Sequence, residues 1–100
     1  MDKKEIFLLT KPPHSDRAKL CMCLIEHSQN GYLYLAGDGV YNLLASDSIR
    51  FLPVGKVLAC KEDLMARGVQ AEEEWVIVSM NFYELLVKDM LTEGSKIYSF

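Results

Sequence analysis

Five short runs of continuous apolar residues, separated by segments with helical spacing, constrain the fold of this chain more than any other feature. The runs cover residues 6–10, 32–36, 56–59, 75–79 and 96–100. Strands that are apolar along their whole length, rather than at alternate positions, are typical of a parallel sheet buried on both faces. We therefore predict an α/β fold, a three-layer sandwich with a five-stranded mainly parallel sheet and helices on both faces. The pattern leaves the strand order open.

Four helices are predicted between these strands. They cover residues 16 to about 29, 40–45, 61–67 and 81–91, while residues 46–55 form a loop or an irregular extended piece. Ser15 or Asp16 is expected to cap the first helix, and Asp38 the second. Asn81 and Glu84 have the spacing of a capping pair for the last helix. Half of the 100 residues are hydrophobic, enough for one core, so we predict a single domain over residues 1–100.

Charge and composition argue against several classes of function. The net charge is −3 and the sequence has no basic stripe, so direct nucleic-acid binding is not expected. The apolar runs are too short to span a membrane, and the start of the chain leads straight into a strand without a signal-peptide pattern. Three cysteines without a disulfide-scaffold pattern indicate free thiols in a reducing cytoplasm.

Cys60 stands between the third predicted strand and the helix that follows it. In open parallel sheets, ligands and reactive groups gather at the carboxyl ends of the strands. The partial positive charge of a helix N-terminus favours a thiolate, so we predict a lowered pKa for Cys60, with Glu62 and Asp63 opposing the effect. Lys61 adds positive charge beside it. A buried structural thiol is the alternative, because free cysteine is among the most often buried residue types.

The turn Gly37-Asp38-Gly39 follows the second predicted strand and so lies at the same sheet edge as Cys60. It has neither a dinucleotide-binding glycine frame nor a Walker lysine, and we expect no cofactor. Asp38 and Gly39 have two interpretations. They form a tight turn with a capping carboxylate, or they line a pocket near Cys60 whose free N–H groups hold an anion.

Two further cysteines, Cys21 and Cys23, lie in the first predicted helix. Residues two apart on a helix point about 200° apart, so one thiol faces the sheet, the other faces solvent or a partner, and no disulfide joins them. Cys23 and His27 have a spacing that can hold a metal ion, but two ligands do not make a zinc site. This helix is apolar on two faces, which predicts burial at a subunit interface.

Three stretches resemble the DsrE/DsrF/DsrH group of intracellular sulfur-relay proteins, most closely its DsrH/TusB branch. They are Asp38-Gly39-Val40-Tyr41, Glu62-Asp63-Leu64-Met65-Ala66-Arg67-Gly68, and a last helix followed by a short strand that ends in Phe100. The resemblance runs nearly end to end. It implies an α/β sandwich that assembles into homo- or hetero-oligomers in the cytoplasm. The DsrE/TusD branch carries sulfur as a cysteine persulfide, for tRNA thiolation in some bacteria and for sulfur oxidation in others.

The resemblance also places two cysteines at positions that matter in the family. Cys60 stands where the DsrE/TusD branch keeps its sulfur-carrying cysteine, whereas DsrH/TusB chains have a different residue there. Cys23 stands where DsrH-like proteins can carry a cysteine on the first helix. The leading hypothesis is therefore a sulfur-relay subunit in which Cys60 accepts sulfane sulfur from a donor protein and passes it to an acceptor thiol, with Cys23 as a second thiol.

Two other functions remain open. The first is a structural or docking subunit without chemistry of its own, in which the three cysteines are buried or incidental. An accessible, acidic Cys60 favours the relay, and a packed Cys60 facing the sheet favours the docking subunit. The second, a sensor of a small molecule or nucleotide, rests on analogy of fold alone.

Overall fold

A five-stranded parallel sheet forms the centre of the computed structural model, which describes residues 4–45, 49, 52–71, 74–92 and 94–100. The strands are β1 (Glu5–Leu9), β2 (Gly31–Leu35), β3 (Val54–Cys60), β4 (Val76–Ser79) and β5 (Lys96–Ser99). Their order is β4-β3-β2-β1-β5, and each neighbouring pair is parallel. The predicted α/β class and its parallel sheet are confirmed.

In the described parts of the chain, three α-helices and one 3-10 helix connect the strands. They are α1 (Asp16–Glu26), the 3-10 helix (Gly37–Ala45), α2 (Lys61–Arg67) and α3 (Phe82–Met90). Within the described part of the chain, no helix is long and apolar enough to cross a membrane. The irregular piece predicted at residues 46–55 lies partly outside the described residues.

Two groups of buried side chains, one on each face of the sheet, hold the layers together. The first-face cluster includes Cys21 and Ile25 of α1 and Leu64 of α2, packed on Leu33 of β2. The second-face cluster consists of Ile6, Tyr34, Ala36, Leu58, Cys60, Phe82 and Leu86. The connections from β1 to β2, from β2 to β3 and from β3 to β4 each move one strand in the same direction across the sheet, whereas the connection from β4 to β5 crosses back to the opposite edge. Because crossovers between parallel strands are right-handed, this reversal places α3 on the face opposite α1 and α2. Of the described helices, α3 covers one face of the sheet and the others cover the opposite face.

The ends of α1 and α3 test the capping residues that were predicted from the sequence. Ser15 caps α1 as predicted, because its side-chain oxygen accepts a hydrogen bond from the Ala18 N–H at 3.2 Å. The helix ends at Glu26, earlier than predicted, since β2 already begins at Gly31. The capping pair predicted for α3 is wrong: Asn81 is the N-cap residue, but its side chain makes no capping hydrogen bond.

Gly68 ends α2 in the left-handed conformation, with φ at 65° and ψ at 25°. Its N–H and that of Val69 bond back to the carbonyls of Met65 and Leu64, which completes the last turn of the helix. The C-terminal stop predicted from the sequence is confirmed. A glycine adopts this φ without the steric cost that a Cβ adds.

A short polar chain attaches the C-terminal half of α3 to the sheet. The Asp89 carboxylate accepts hydrogen bonds from the Tyr34 hydroxyl and, at 3.0 Å, from the Lys4 ammonium. Burial alone would raise the pKa of Asp89, but the bonds from Tyr34 and Lys4 outweigh it and hold that pKa below its ordinary value. Burial and the neighbouring Asp89 carboxylate raise the pKa of Tyr34. This chain fixes α3 across the second-face cluster.

The lowered pKa of Asp89 predicts a pH dependence of stability. A carboxyl with a depressed folded pKa contributes stability above its unfolded pKa, ordinarily 3.8, and loses that contribution as pH falls through the folded value. We therefore expect Asp89→Asn to lose less stability than the wild type between about pH 5 and pH 2, measured by urea denaturation at each pH. Glu84→Gln, which alters an exposed carboxyl on the same helix, should follow the wild type at concentrations where the chain is a monomer. Parallel profiles for Asp89→Asn and the wild type would contradict the assignment.

Candidate functional site

Cys60 is the last residue of β3 and the N-cap residue of α2, so the predicted position at a strand–helix joint is confirmed. Its side chain lies in the second-face cluster with Tyr34, Leu58 and Phe82, and the residue is only 5% exposed. The first turn of α3 supplies Phe82, which is fully buried. The Cys60 thiol is therefore packed between the sheet and α3 rather than open at the sheet edge.

The surroundings of Cys60 do not produce the acidic thiol that was expected from the sequence. Burial raises the pKa of Cys60, and the Asp63 carboxylate adds to the rise. The backbone N–H groups of Asp63 and Glu62, at the start of α2, lower the pKa but do not overcome burial. The Cys60 side chain also makes no capping hydrogen bond to the helix. The prediction of a lowered pKa is wrong, because desolvation outweighs the helix N-terminus.

The Gly37–Gly39 turn is tied to α2 by ionic and hydrogen bonds. The Gly37 N–H donates to the Asp63 carboxylate at 2.8 Å. Arg67 donates from Nε to Asp38 at 3.0 Å and from Nη1 to Asp63 at 3.3 Å. Asp38 therefore pairs with Arg67 instead of capping the helix, because it lies inside the 3-10 helix rather than before it. The turn and α2 are held together at the edge of the sheet.

The anion-binding interpretation of this turn is not supported at the two glycines. The Gly37 N–H is used by Asp63, and the Gly39 N–H donates to the Ala36 carbonyl at 2.9 Å. Gly39 has a different purpose: a Cβ built on it would lie 1.9 Å from the Leu9 carbonyl oxygen. The turn crosses the end of β1 so closely that only glycine fits. Lys61 is exposed in the first turn of α2.

Cys23 lies in a different part of the molecule, on the exposed side of α1. It lines a cavity of about 440 Å³ between α1, the loop after β1 and the segment before β3. Lys19, one helical turn earlier, lines the same cavity, as does His14. His14 has a φ of 69°, a left-handed conformation that is uncommon outside glycine. The cavity thus joins an accessible thiol, a cationic side chain and a strained backbone position.

The inner wall of this cavity is fixed by Asn42 from the 3-10 helix. The buried Asn42 side-chain amide donates to the carbonyls of Lys11 at 3.0 Å and Gly39 at 2.8 Å. These bonds hold the loop after β1 against the 3-10 helix. Met22 and Leu52 contribute apolar wall. A side chain or small molecule that enters the cavity therefore meets a preformed surface beside Cys23.

The two cysteines of α1 point to opposite sides, as the helical spacing predicts. Cys21 is fully buried in the first-face cluster, and burial raises its pKa to about 12, so it is an inert thiol near neutral pH. Cys23 is exposed, and all three cysteines are free. The His27 ring donates from Nδ1 to the Cys23 carbonyl at 2.9 Å, a bond to the backbone and not to the thiol. Among the described residues, no group of three or more candidate ligands is placed to hold a metal ion.

The structure separates the predicted site residues into two places. Cys60, Asp38 and Gly39 lie at or near the carboxyl edge of the sheet, as expected from their positions after β3 and β2. Cys23 lies on α1, which packs on the other face of the sheet from Cys60. The two candidate thiols are thus not brought together. The cavity beside Cys23 was missed by sequence reasoning, although the Pro12-Pro13-His14 break next to a helix was a visible signal of an irregular loop.

Comparison with known proteins adds no further constraint on this site. No protein-family model matches the chain, and no curated protein matches it. The resemblance to the sulfur-relay group is therefore carried by the three stretches quoted above.

Proposed function

We propose that this chain is a subunit of a cytoplasmic sulfur relay and that Cys23 is its sulfur-carrying thiol. The observation that carries this proposal is the difference in access between the two candidate cysteines. Cys23 is exposed beside a preformed cavity, whereas Cys60 is buried in the second-face cluster and its pKa is raised. Since the thiolate is the nucleophile, a buried and protonated thiol is a poor sulfur acceptor. The proposed sulfur relay rests on the family resemblance, and the choice of Cys23 rests on the accessibility of its thiol.

The chemistry requires neither a cofactor nor an external oxidant. The Cys23 thiolate attacks the outer sulfur of a donor persulfide, so that a new bond forms between Sγ and that sulfur. The sulfur–sulfur bond of the donor breaks, and the donor leaves as a thiolate. An acceptor thiolate then attacks the outer sulfur on Cys23 in the same manner. Lys19 and Glu26 both line the cavity, so its wall carries one charge of each sign beside Cys23.

Intact-mass analysis after incubation with a persulfide donor tests this proposal. We expect the wild type to gain one sulfur atom that a reductant removes. Cys23→Ser should lose that gain, while Cys60→Ala, the matched control at the buried thiol, should keep it. Alanine is preferred at position 60 because a serine hydroxyl would be buried there. Retention of the sulfur in Cys23→Ser and its loss in Cys60→Ala would move the carrier role to Cys60.

A docking subunit without sulfur chemistry is the second candidate. It is favoured by one observation, the packed Cys60 thiol facing the sheet at the position where a carrier branch has its reactive cysteine. In this case, the chain serves donor and acceptor proteins as a binding surface in an oligomer with related subunits. Absence of any added sulfur on the wild type, under conditions that load a known persulfide carrier, would favour this candidate.

A further inference from the structure

An exposed flank of α3 carries a stripe of apolar residues, called here the outer stripe. Tyr83, Val87 and Met90 are spaced four and three residues apart, so they lie on one side of the helix. They are 57%, 50% and 43% exposed. The side that faces the sheet is formed by Phe82 and Leu86, which are buried. At 100° per residue, the stripe lies about 100° around the helix from this buried side, so it is an exposed flank of α3.

Met80, in the turn before the helix, and Leu91, its C-cap residue, are also exposed. Scattered apolar residues are normal on a protein surface, but a contiguous row along one helix marks an interaction site. On α1, by comparison, the exposed large hydrophobic residues are Leu20 and Leu24. The sequence predicted an interface at α1, whereas the structure exposes the longer apolar row on α3.

Two charged residues lie next to each other along one border of this stripe. Glu84 and Lys88 are exposed and four residues apart, so they share one side of α3. Among the described residues, the ion pairs involve neither of them. An apolar row bordered by an acid and a base is the pattern of a helix that pairs with another helix.

Two copies of the stripe, each with its charged border, are complementary to each other in one arrangement. When two copies of α3 pack antiparallel, the same border of each helix faces the other. A two-fold axis between Leu86 and Val87 then places Tyr83 opposite Met90 of the second copy. The same axis brings Glu84 next to Lys88 of the second copy, and the reverse. Apolar contacts and opposite charges thus agree on a single register.

We propose that a second copy of this chain docks on the outer stripe of α3, forming a two-fold dimer of antiparallel α3 helices with reciprocal Glu84–Lys88 pairs. The proposal does not depend on the sulfur chemistry, because α1 and its cavity lie on the opposite face of the sheet and stay open in such a dimer. A standard interface takes about 20–30 residues a side, many more than this stripe supplies, so the dimer dissociates in the micromolar range.

Charge reversal at the border of the stripe tests this arrangement. Sedimentation velocity over a concentration series should show the wild type rising from 11.4 kDa toward twice that mass. Glu84→Lys and Lys88→Glu should each weaken the dimer by about tenfold or more, because each places like charges opposite one another twice. Glu26→Lys, an equal charge change on α1, should leave the dimer unaltered. Circular dichroism shows whether each variant is folded.

Mixing the two variants separates an interface effect from a folding effect. A copy with Glu84→Lys and a copy with Lys88→Glu face each other with opposite charges at both pairs. The mixture should therefore form a heterodimer at concentrations where each variant alone is a monomer. A wild type that stays monomeric at high concentration would overturn the proposal. A dimer whose affinity is unchanged by both charge reversals would also overturn it, as would a mixture of the two variants that stays monomeric.

Discussion

Phe82→Ala should lower the free energy of unfolding by about 3–5 kcal/mol, the usual cost of removing a buried phenylalanine. Phe82 is fully buried at the start of α3, in contact with the Tyr34 ring at 5.4 Å between centroids. It belongs to the same buried cluster as Cys60, so its removal leaves a void in that cluster. We therefore expect Cys60 to react with an alkylating reagent much faster in this variant than in the wild type.

The control for this prediction is Val87→Ala, a truncation at a half-exposed position of the same helix. It should cost less than about 1 kcal/mol at concentrations where the chain is a monomer, because its side chain leaves no buried void. Urea denaturation gives the stabilities, and mass spectrometry of alkylated peptides gives the rate at each cysteine. Equal alkylation of Cys60 in Phe82→Ala and the wild type would show that α3 does not cover the thiol.

Gly39→Ala is the second change with a large expected effect. Its Cβ would lie 1.9 Å from the Leu9 carbonyl oxygen and 2.8 Å from the Leu9 carbonyl carbon. Both are backbone atoms, which no side-chain rotation can move aside. Either the end of β1 or the turn before Val40 has to shift. We expect a loss of about 3 kcal/mol or more, the upper end of what overpacking costs.

Gly68→Ala serves as the matched control for this steric effect. Apart from its own helix and chain neighbours, no atom of the described residues lies within 4 Å of the position that a Cβ would take at Gly68, so the cost there comes from the positive φ. That cost is about 1–2 kcal/mol. Thermal melts of both variants show which substitution destabilises the fold more, and we expect it to be Gly39→Ala. A Gly39→Ala variant as stable as Gly68→Ala would mean that the turn does not cross β1 as closely as the structure shows.

Helix ends were predicted correctly from the sequence where they depend on neighbouring residues alone. The cap at Ser15 and the stop at Gly68 each depend on a few consecutive residues, and both are confirmed. The apolar runs predicted the parallel sheet because a strand covered on both faces has no polar side. Strand order was not predictable, since it is decided by how the connections pack on the sheet.

The surroundings of Cys60 were misjudged because they are not local. The cluster that buries it includes Phe82 and Leu86 of α3, which lie far along the chain, and Cys60 itself pairs with Ser79 of β4. Similarly, Asp38 was expected to cap the helix predicted over residues 40–45, but it pairs with Arg67 of α2. Burial, the term that dominates the pKa of Cys60, depends on such distant contacts and not on the residues beside it.

The central claim is that Cys23 carries sulfur, and a chain that keeps only this cysteine tests it most directly. A variant with Cys21→Ala and Cys60→Ala is incubated with a persulfide donor, freed from the donor and mixed with an acceptor thiol, and its intact mass is followed throughout. We predict a gain of one sulfur atom and its loss to the acceptor. The matched variant with Cys21→Ala and Cys23→Ala should gain none. Sulfur uptake by that second variant alone, or by neither, would contradict the claim.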